Sequence, residues 1–272
     1  LEVLRGPQGT LFGRNTIGGA INITTKKPGT ELGGTASVTG GSDHLLQFKA
    51  TLDAPITDRI LTKLTVFSRN RDGYVTRTSD GVDLGNDNKF AIRGDIRLLP
   101  TDTLTIDASI ERMREREHGA PLQLIAAYAD APFAQYNNLA LNGAVCATTP
   151  TAAQCYGSQW IAPAGKDYGT GRVISNIDVL GVNVTANWKA PEPILGSEIA
   201  VKSITAWRKL DSIFGADHDH SPVLIDDTFN DYSQRQFSQE LQVTGSSKLL
   251  NWAAGVYYFR ESGTDANTVD FS

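Results

Sequence analysis

The first 28 residues constrain the fold of this chain more than any other segment. A short apolar run at 1–4 leads into a glycine-rich stretch, which is followed by a β-branched run at 21–25. Glycines at this density are needed where the backbone takes a positive φ or passes close to another backbone. We therefore expect residues 1–28 to form a compact element of their own, and not two ordinary neighbouring strands of a larger sheet.

These glycines do not match a nucleotide-binding loop. A phosphate-binding P-loop ends in Gly-Lys-Ser/Thr at the start of a helix, whereas Gly13 is followed by Arg14-Asn15 and then by β-branched residues. A dinucleotide fingerprint needs Gly-x-Gly-x-x-Gly, and that run does not occur in the sequence. An ordinary loop remains as the alternative.

From Gly34 onward the chain shows repeated alternation between apolar and polar residues, which is typical of strands with one apolar face. Alternating segments begin near residues 34, 44, 60, 90, 104, 180 and 237. Two more strands are expected at 198–209 and 251–261, where the sequence does not distinguish the two faces. Segments of about 9–12 residues suit strands tilted across a bilayer, whereas strands in soluble proteins more often have about 5–6 residues.

The connections between these strands alternate in length. Four are tight (54–58, 99–103, 190–196 and 246–250), and between them lie long polar loops at 71–89, 114–175 and 211–232, with 41–43 as the short exception. Short turns at one end and long loops at the other are typical of outer-membrane barrels. No run approaches the ~18 apolar residues of a membrane-spanning helix. The sequence thus predicts an all-β chain that forms part of an antiparallel transmembrane β-barrel.

Three stretches resemble the TonB-dependent outer-membrane receptors. Residues 1–28 follow the pattern that ends the plug domain of that family, E-V-L-R-G-P-x-G-x-L-(Y/F)-G-x-x-x-x-G-G-x-I-N-I, with Phe12 where tyrosine is more usual. Residues 67–75 resemble an R-x-x-R-D-G-Y stretch that follows an early barrel strand. Residues 236–260 resemble a hairpin with the pattern S-Q-E-L-R-L … W-x-x-G-x-(Y/F)-Y.

The resemblance implies a domain organisation and a function. Residues 1–30 would be the C-terminal end of the plug domain, and residues 31–272 would be the N-terminal portion, about nine strands, of a 22-stranded barrel. Receptors of this family import ferric siderophores, or less often haem, cobalamin or oligosaccharides, when the TonB complex of the inner membrane pulls on the plug. The segment that contacts TonB, most of the plug and the closing strands would lie outside this chain.

We accordingly expect a protein of the bacterial outer membrane that binds lipid and an extracellular ferric chelate. The net charge of −5 argues against a nucleic-acid partner. A passive channel is a second hypothesis, against which the plug motif weighs. An outer-membrane enzyme is a third, and the sequence lacks the G-x-S-x-G element that would support it. We assign no catalytic residue, cofactor or metal ligand.

The resemblance also assigns roles to individual residues. The plug-motif residues are Arg5, Gly6, Pro7, Gly9, Gly13, Arg14, Gly18, Gly19 and Asn22. Their arginines are expected to pair with carboxylates in the barrel lumen, for which Glu240, Asp107 and Glu111 are candidates; hydrated charges are the alternative. Candidates for an aromatic girdle at the membrane surface are Trp188, Trp252, Tyr257 and Tyr258, with ordinary packing as the alternative.

Two further features belong to the long loops. Cys146 and Cys155 lie close together in sequence, and the oxidising conditions outside the inner membrane favour a disulfide over two free thiols. The segment 211–232 contains Asp217-His-Asp-His220 and six aspartates, and it has no lysine or arginine. Imidazole and carboxylate groups in this pattern can hold a transition metal. We favour a solvated acidic loop, which leaves metal binding by His218 and His220 open.

Overall fold

The computed structural model describes residues 2–7, 17–128 and 130–271. Its strands, in chain order, are β1 (Glu2–Arg5), β2 (Gly19–Asn22), β3 (Gly33–Gly40), β4 (Leu46–Asp53), β5 (Ile60–Arg71), β6 (Val75–Arg77), β7 (Asp83–Leu84), β8 (Asp87–Thr101), β9 (Leu104–Glu117), β10 (Lys166–Asp167), β11 (Ile174–Lys189), β12 (Glu198–Asp217), β13 (Asp227–Ser246) and β14 (Asn251–Asp270).

Nine of these strands form one antiparallel sheet within the described ranges, in the order β3-β4-β5-β8-β9-β11-β12-β13-β14. Each strand pairs with its neighbours in this order, so the edge strands β3 and β14 have one partner each among the described residues. Tight turns therefore lie at one end of the sheet, and the longer connections lie at the other. The predicted all-antiparallel architecture is confirmed; the total number of strands in the barrel is not fixed by this part of it.

Several strands are longer than the 9–12 residues predicted. β12, β13 and β14 have 20 residues each, whereas crossing a bilayer takes about 9–11. The segment expected as a loop at 211–232 consequently shrinks to residues 218–226. Beyond a membrane both faces of a hairpin meet water, so the apolar alternation stops although the strand pairing continues. That loss of alternation made the outer halves of these strands resemble a loop.

The sheet has two chemically different faces. We call the face that carries Lys63 and Asp107 the inner face, and the opposite one the outer face. Arg93 lies opposite Glu111 and Arg97 opposite Asp107, whereas Ile96 lies opposite Ala108 and Leu98 opposite Ile106. Directly opposed residues share a face and successive residues alternate. The predicted separation of charged from apolar side chains is confirmed for this part of the two strands. Toward the long-loop end, Ile92 and Phe90 lie opposite Arg112 and Arg114, so the outer face is charged there.

The strand register also resolves the faces of β12, which the sequence left unassigned. Ser203, Thr205 and Trp207 lie on the outer face, in line with Ala186, Val184 and Val182 of β11. The outer-face polar groups bond to one another: Gln239 donates to Ser203 Oγ at 2.9 Å, and Thr205 donates to Gln239 Oε1 at 2.5 Å. A polar cluster satisfied across strands therefore interrupts the apolar pattern along this part of the chain.

At the long-loop end, β10 pairs in parallel with β6, and β6 pairs antiparallel with β7. This small sheet and the connections around it form what we call the outer cap, residues 72–86, 118–173 and 218–226. The cap contains two short helices, α1 (Pro132–Gln135) and α2 (Gly143–Cys146), and buried apolar side chains at Val75, Leu84, Val223 and Ile225. Among the described residues, no helix has the length and apolar character required to cross a membrane.

The glycine-rich N-terminal segment folds separately from the large sheet. β1 and β2 pair antiparallel with one another, from Glu2 opposite Asn22 to Arg5 opposite Gly19, and form a two-stranded sheet. Gly6 and Gly19 have positive φ values of 82° and 138°. A Cβ on Gly19 would also lie 2.4 Å from the carbonyl oxygen of Leu4, so this position requires glycine for two reasons.

Candidate functional site

The segment 26–29, which follows the N-terminal hairpin, is held on the inner face of the sheet. Lys63 Nζ donates to the carbonyl oxygens of Lys26 at 3.3 Å and Lys27 at 3.0 Å. The amide of Gly29 donates to Asp53 Oδ1 at 2.8 Å, and that same oxygen lies 3.3 Å from Lys63 Nζ. Because the Lys63 side chain is only 5% exposed, these contacts form a desolvated anchor between the segment and the wall.

A second ionic contact joins the segment 26–29 to the wall one strand pair further along. Lys27 Nζ lies 3.2 Å from Asp107 Oδ2. Asp107 also accepts hydrogen bonds from Arg97, at 2.7 Å from Nε and 2.9 Å from Nη2. The Arg97 guanidinium thus fixes the carboxylate that receives Lys27. Bidentate arginine–carboxylate pairs of this kind combine strength with a defined geometry.

The structure separates the three carboxylates that were candidates for pairing with the plug-motif arginines. Asp107 contacts Lys27 and Arg97. Glu111 accepts a 2.8 Å hydrogen bond from Arg93 Nη1 within the wall, and Glu240 accepts one from Gln242. Of these three, Asp107 is therefore the one that the structure places against the segment leading out of the hairpin.

The plug-motif residues are described in part. β1 ends at Arg5, which is followed by Gly6 and Pro7. Gly18 precedes β2, which begins at Gly19 and ends at Asn22. Gly9, Gly13 and Arg14 lie outside the described residues. The roles assigned to this set remain predictions.

Sequence reasoning missed Lys27, Lys63 and Asp53 as the residues that join the two parts of the chain. The sequence contains one indication for Lys63: it is a charged residue on the polar face of β5, with leucines close to it on either side in the sequence. Its target is a pair of backbone carbonyls, however, and a sequence pattern does not identify such acceptors.

The four candidate girdle aromatics do not share a face. Trp188, Trp252 and Tyr258 lie on the outer face by their strand register, whereas Tyr257 lies opposite Glu240 on the inner face. The expectation of a common girdle is wrong for Tyr257, because adjacent residues in a strand point to opposite faces.

The acidic segment 217–221 is buried in the outer cap, which corrects the expectation of a solvated loop. Asp217, Asp219, His220 and Ser221 are 3%, 7%, 8% and 1% exposed. The long connection between β9 and β11 folds over this segment and brings Asp167 to it, with Asp167 Oδ1 at 3.2 Å from His220 Nδ1. Non-local packing, which is absent from the local composition, removes these charges from water.

Backbone amides fix the orientation of two carboxylates in this cluster. Asp217 accepts hydrogen bonds from Thr170 and Gly171 at 3.0 Å each and from His220 at 2.8 Å. Asp219 accepts from the amides of Ser221 at 2.9 Å and Ile225 at 3.1 Å. Carboxylate oxygens of Asp217, Asp219 and Asp227 all lie within 4.8 Å of one another.

This crowding of acids changes proton affinities at the outer end of the sheet. Burial, followed by the charges of Asp217 and Asp219, raises the pKa of Asp227 to about 6. Burial also raises the pKa of Asp219, and Asp217 adds to that rise. For His220, burial opposes the positive form, but Asp167 and the neighbouring carboxylates outweigh it, so the pKa of the imidazole is raised.

The two cysteines of the cap are joined. Cys146, at the end of α2, forms a disulfide with Cys155, with their Cα atoms 5.7 Å apart. The carbonyl of Cys155 accepts hydrogen bonds from Trp160 Nε1 at 3.0 Å and Gln159 Nε2 at 2.6 Å. The crosslinked turn is thereby connected to the part of the cap that leads toward β10.

Comparisons with known proteins agree with this architecture. No family model matches the chain. It is 35% identical over 104 residues to the pesticin receptor of Yersinia pestis, which is 38% of this chain and 16% of that protein. It is 25% identical over 122 residues to the ferrioxamine B receptor of Salmonella typhimurium, which is 44% of this chain and 16% of that protein.

Solved structures match almost the whole chain at low sequence identity. The ferric yersiniabactin uptake receptor of Yersinia pestis superimposes with a TM-score of 0.72 at 18% identity, covering 99% of this chain and 37% of the receptor. The siderophore receptor PiuA of Acinetobacter baumannii gives a TM-score of 0.63 at 14% identity, covering 97% of this chain and 35% of that receptor. At these identities the likeness establishes the fold.

This chain thus spans about a third of each of these two solved receptors, and its matches span 16% of the curated relatives. The sequence match and the fold match agree with the resemblance carried by the glycine-rich motif and the strand pattern. The resemblance is confirmed: the chain has the sequence character and the fold of a segment of a TonB-dependent outer-membrane receptor.

Proposed function

We propose that the protein to which this chain belongs imports a ferric siderophore across the bacterial outer membrane in a TonB-dependent manner. The observation that carries the proposal is the anchoring of segment 26–29 on the inner face. A separately folded glycine-rich hairpin precedes a segment held to a strand wall by Lys63 and Asp107. Polar contacts between plug and wall suit an energy-driven importer, because they retain the plug at rest and can be exchanged for water when the plug is moved.

The receptors to which the chain is similar support the choice of ligand class. Two of the proteins described above are receptors for ferric yersiniabactin and for ferrioxamine B. The ligand would be held by the outer cap and the apices of the plug, and the protein would lie in the outer membrane. Haem, cobalamin or an oligosaccharide is the alternative ligand, and a passive channel is the alternative mechanism.

The proposal is tested with the full-length protein in iron-starved Escherichia coli that lacks its own siderophore receptors. Cells with and without TonB are given ⁵⁵Fe-yersiniabactin, ⁵⁵Fe-ferrioxamine B, ⁵⁵Fe-enterobactin or ⁵⁷Co-cyanocobalamin. We expect accumulation of at least one ferric chelate that requires both the protein and TonB. Uptake of cobalamin alone would show that the ligand is not a siderophore. Equal uptake with and without TonB would show that the protein is a passive channel.

The proteins to which this chain is similar are receptors. We therefore propose that this protein also carries its ligand without changing it chemically. Recovery of the chelate chemically unchanged after uptake supports it. A modified chelate that appears outside TonB-deficient cells only when the protein is present would indicate an enzyme.

A further inference from the structure

A group of carboxylates lies where the outer cap meets β12 and β13, and the proposed transport function assigns no role to it. Three of its members are buried: Asp167 from β10, Asp217 at the end of β12, and Asp219 from the connection between β12 and β13. The fourth, Asp227 at the facing end of β13, is half-buried. These residues come from two parts of the chain separated by about 50 positions. A cation that neutralises these carboxylates would therefore also join the long connection to the β12–β13 hairpin.

Two glycines allow the backbone of the long connection to pass between the carboxylates. A Cβ on Gly169 would lie 2.5 Å from Asp217 Oδ2 and 2.9 Å from Asp167 Oδ2, and one on Gly171 would lie 2.4 Å from Asp227 Oδ1. The carboxylates of Asp167 and Asp217 thus converge on one point, and Asp227 is close beside it. A larger residue at either glycine would push these oxygens apart.

One of these convergent oxygens has no partner. Asp167 is 1% exposed, and its Oδ2 is a buried atom that accepts no hydrogen bond from the part of the chain that the structure describes. A buried carboxylate oxygen without a partner carries the full cost of desolvation. This atom faces the carboxylate of Asp217, where a second negative group makes that cost larger unless a positive charge lies between them.

Among the described residues, the neighbouring basic side chains do not donate to Asp167 Oδ2. Arg77 is near enough to Asp167 and Asp217 to sense their charge, but its guanidinium donates to Asp80 and to the carbonyl of Gly171. Arg172 lies over the ring of Phe229, with 4.1 Å from its guanidinium carbon to the ring centre. The imidazole of His220 faces Oδ1 of Asp167, the oxygen that already has a partner.

We propose that Asp167, Asp217, Asp219 and Asp227 bind a hard divalent cation, Ca²⁺, which clamps the long connection of the outer cap onto the β12–β13 hairpin. All of the candidate ligands are carboxylate oxygens, the type that Ca²⁺ prefers. Oxygens that share one Ca²⁺ ion lie at most about 5 Å apart, since Ca–O distances are about 2.3–2.6 Å. Carboxylate oxygens of Asp217, Asp219 and Asp227 lie within 4.8 Å of one another and meet that requirement. Asp167 is not in that group, and we assign it to the site because its Oδ2, which has no partner within the described ranges, lies beside Asp217 Oδ2 at Gly169.

The proposed Ca²⁺ site differs in its ligands from the transition-metal site that the Asp-His-Asp-His sequence would form. His218 Nε2 lies 2.9 Å from the hydroxyl of Thr228, and His220 Nδ1 faces Asp167. The imidazoles thus have partners of their own, and the oxygens form the convergent set. The inference also does not depend on which ligand is transported, because binding of the cation is measured directly.

Calorimetric titration with CaCl₂ tests the proposal on the full-length protein, refolded into detergent without lipopolysaccharide and freed of metal with EDTA. We expect saturable binding with a Kd of about 0.1–1 mM or tighter, the range of extracellular calcium modules. Asp227→Asn and Asp167→Asn should each weaken Ca²⁺ affinity at least about tenfold. Asp130→Asn, an exposed aspartate of the same long connection, is the matched control and should leave the affinity unchanged.

Hydrogen exchange of the wild-type protein gives a second readout that does not require the variants to fold. Ca²⁺ should slow exchange in segments 167–171 and 217–227 and leave the tight turns at the opposite end of the sheet unchanged. No saturable binding by the wild-type protein overturns the proposal. Equal affinity in the wild-type protein and both Asn variants, or slowed exchange confined to other segments, also overturns it by placing the ion elsewhere.

Discussion

Arg97 and Asp107 lie directly opposite one another on β8 and β9, and two hydrogen bonds of 2.7 and 2.9 Å join the guanidinium to the carboxylate. Asp107 in turn contacts Lys27 at 3.2 Å. One residue away, Ile96 lies opposite Ala108 on the outer face. Adjacent positions on a single strand therefore face a charged interior and an apolar exterior.

This alternation predicts opposite effects for two neighbouring substitutions. Ile96→Lys should strongly reduce assembly in the outer membrane, because a lysine on the lipid face near the bilayer centre costs about 2–4 kcal/mol. Arg97→Gln should leave assembly largely intact, because glutamine remains on the hydrated inner face and Lys27 still contacts Asp107. Heat-modifiable electrophoretic mobility and outer-membrane yield of the full-length variants measure the difference. Equal yields would show that the faces are assigned incorrectly.

The contacts of Lys63 predict how often the segment 26–29 detaches from the sheet. Lys63→Met removes hydrogen bonds to two carbonyls and leaves Asp53 without its ion-pair partner. Loss of hydrogen bonds to a charged group costs roughly 1.5–3 kcal/mol, which corresponds to roughly 10- to 100-fold faster opening. Hydrogen exchange of residues 26–29 in the full-length protein should increase by that factor.

Lys49→Met is the matched control for this experiment. Lys49 lies on the neighbouring strand β4 and is exposed, so its removal should leave exchange of residues 26–29 unchanged. If both variants exchange at the wild-type rate, the segment is held by other contacts and the anchor described above is not rate-determining.

The disulfide predicts the reactivity of Cys146 and Cys155 in intact cells. Both sulfurs should resist a membrane-impermeant maleimide until a reductant is added, after which both should be labelled. Replacing both cysteines by serine should destabilise the local turn by about 2–3 kcal/mol, since the bond closes a loop of roughly ten residues. Immediate labelling of two thiols without reductant would contradict both the bond and the extracellular position of the loop.

The acidic cluster predicts a pH dependence for the outer cap when metal is absent. Four acidic groups surround Asp227: Asp217 on β12, Asp270 on β14, and Asp219 and Asp226 in the connection. Because burial and these charges raise the pKa of Asp227 to about 6, the folded cap takes up a proton at about pH 6, whereas the unfolded chain takes it up only at about pH 4. The raised pKa of His220 acts in the same direction. Stability of the metal-free cap should therefore increase as the pH falls from 7.5 to 5.

Urea unfolding in EDTA measures this change when Trp160 is kept as the sole tryptophan, because its indole donates to Cys155 within the cap. The urea midpoint should be higher at pH 5 than at pH 7.5. Asp227→Asn should lose much of that difference, since an amide does not titrate. A midpoint that falls on acidification, or a pH response unchanged in Asp227→Asn, would contradict the assignment.

Much of the architecture could be predicted from the sequence because it is encoded by local periodicity. Alternation along β8 and β9 placed Arg93, Arg97, Asp107 and Glu111 on one face, and the strand register agrees. The side-chain period of two is a property of every strand, so it can be read without knowing the partner strands. Glycines in the N-terminal motif likewise marked a backbone that differs from ordinary strands, as the positive φ of Gly6 and Gly19 shows.

The prediction was wrong where polarity has more than one cause. The outer half of β12 is polar because both of its faces lie beyond the membrane, and its sequence therefore predicts a loop where the structure has a strand. Ser203 and Thr205 are polar on the outer face because Gln239, about 35 residues away in sequence, satisfies them. Composition records that a segment is polar, whereas pairing across strands determines whether that polarity is hydrated or satisfied internally.

The sequence by itself determined the strand rhythm, the separation of charged and apolar faces, and the resemblance to the receptor family. Only the tertiary structure decided that Lys63 holds the carbonyls of segment 26–29 and that Asp167 meets Asp217 around Gly169. The physical reason is that these contacts depend on the path of long connections. Burial and charge repulsion arise only when residues distant in sequence are brought within a few ångströms, and no local pattern specifies that approach.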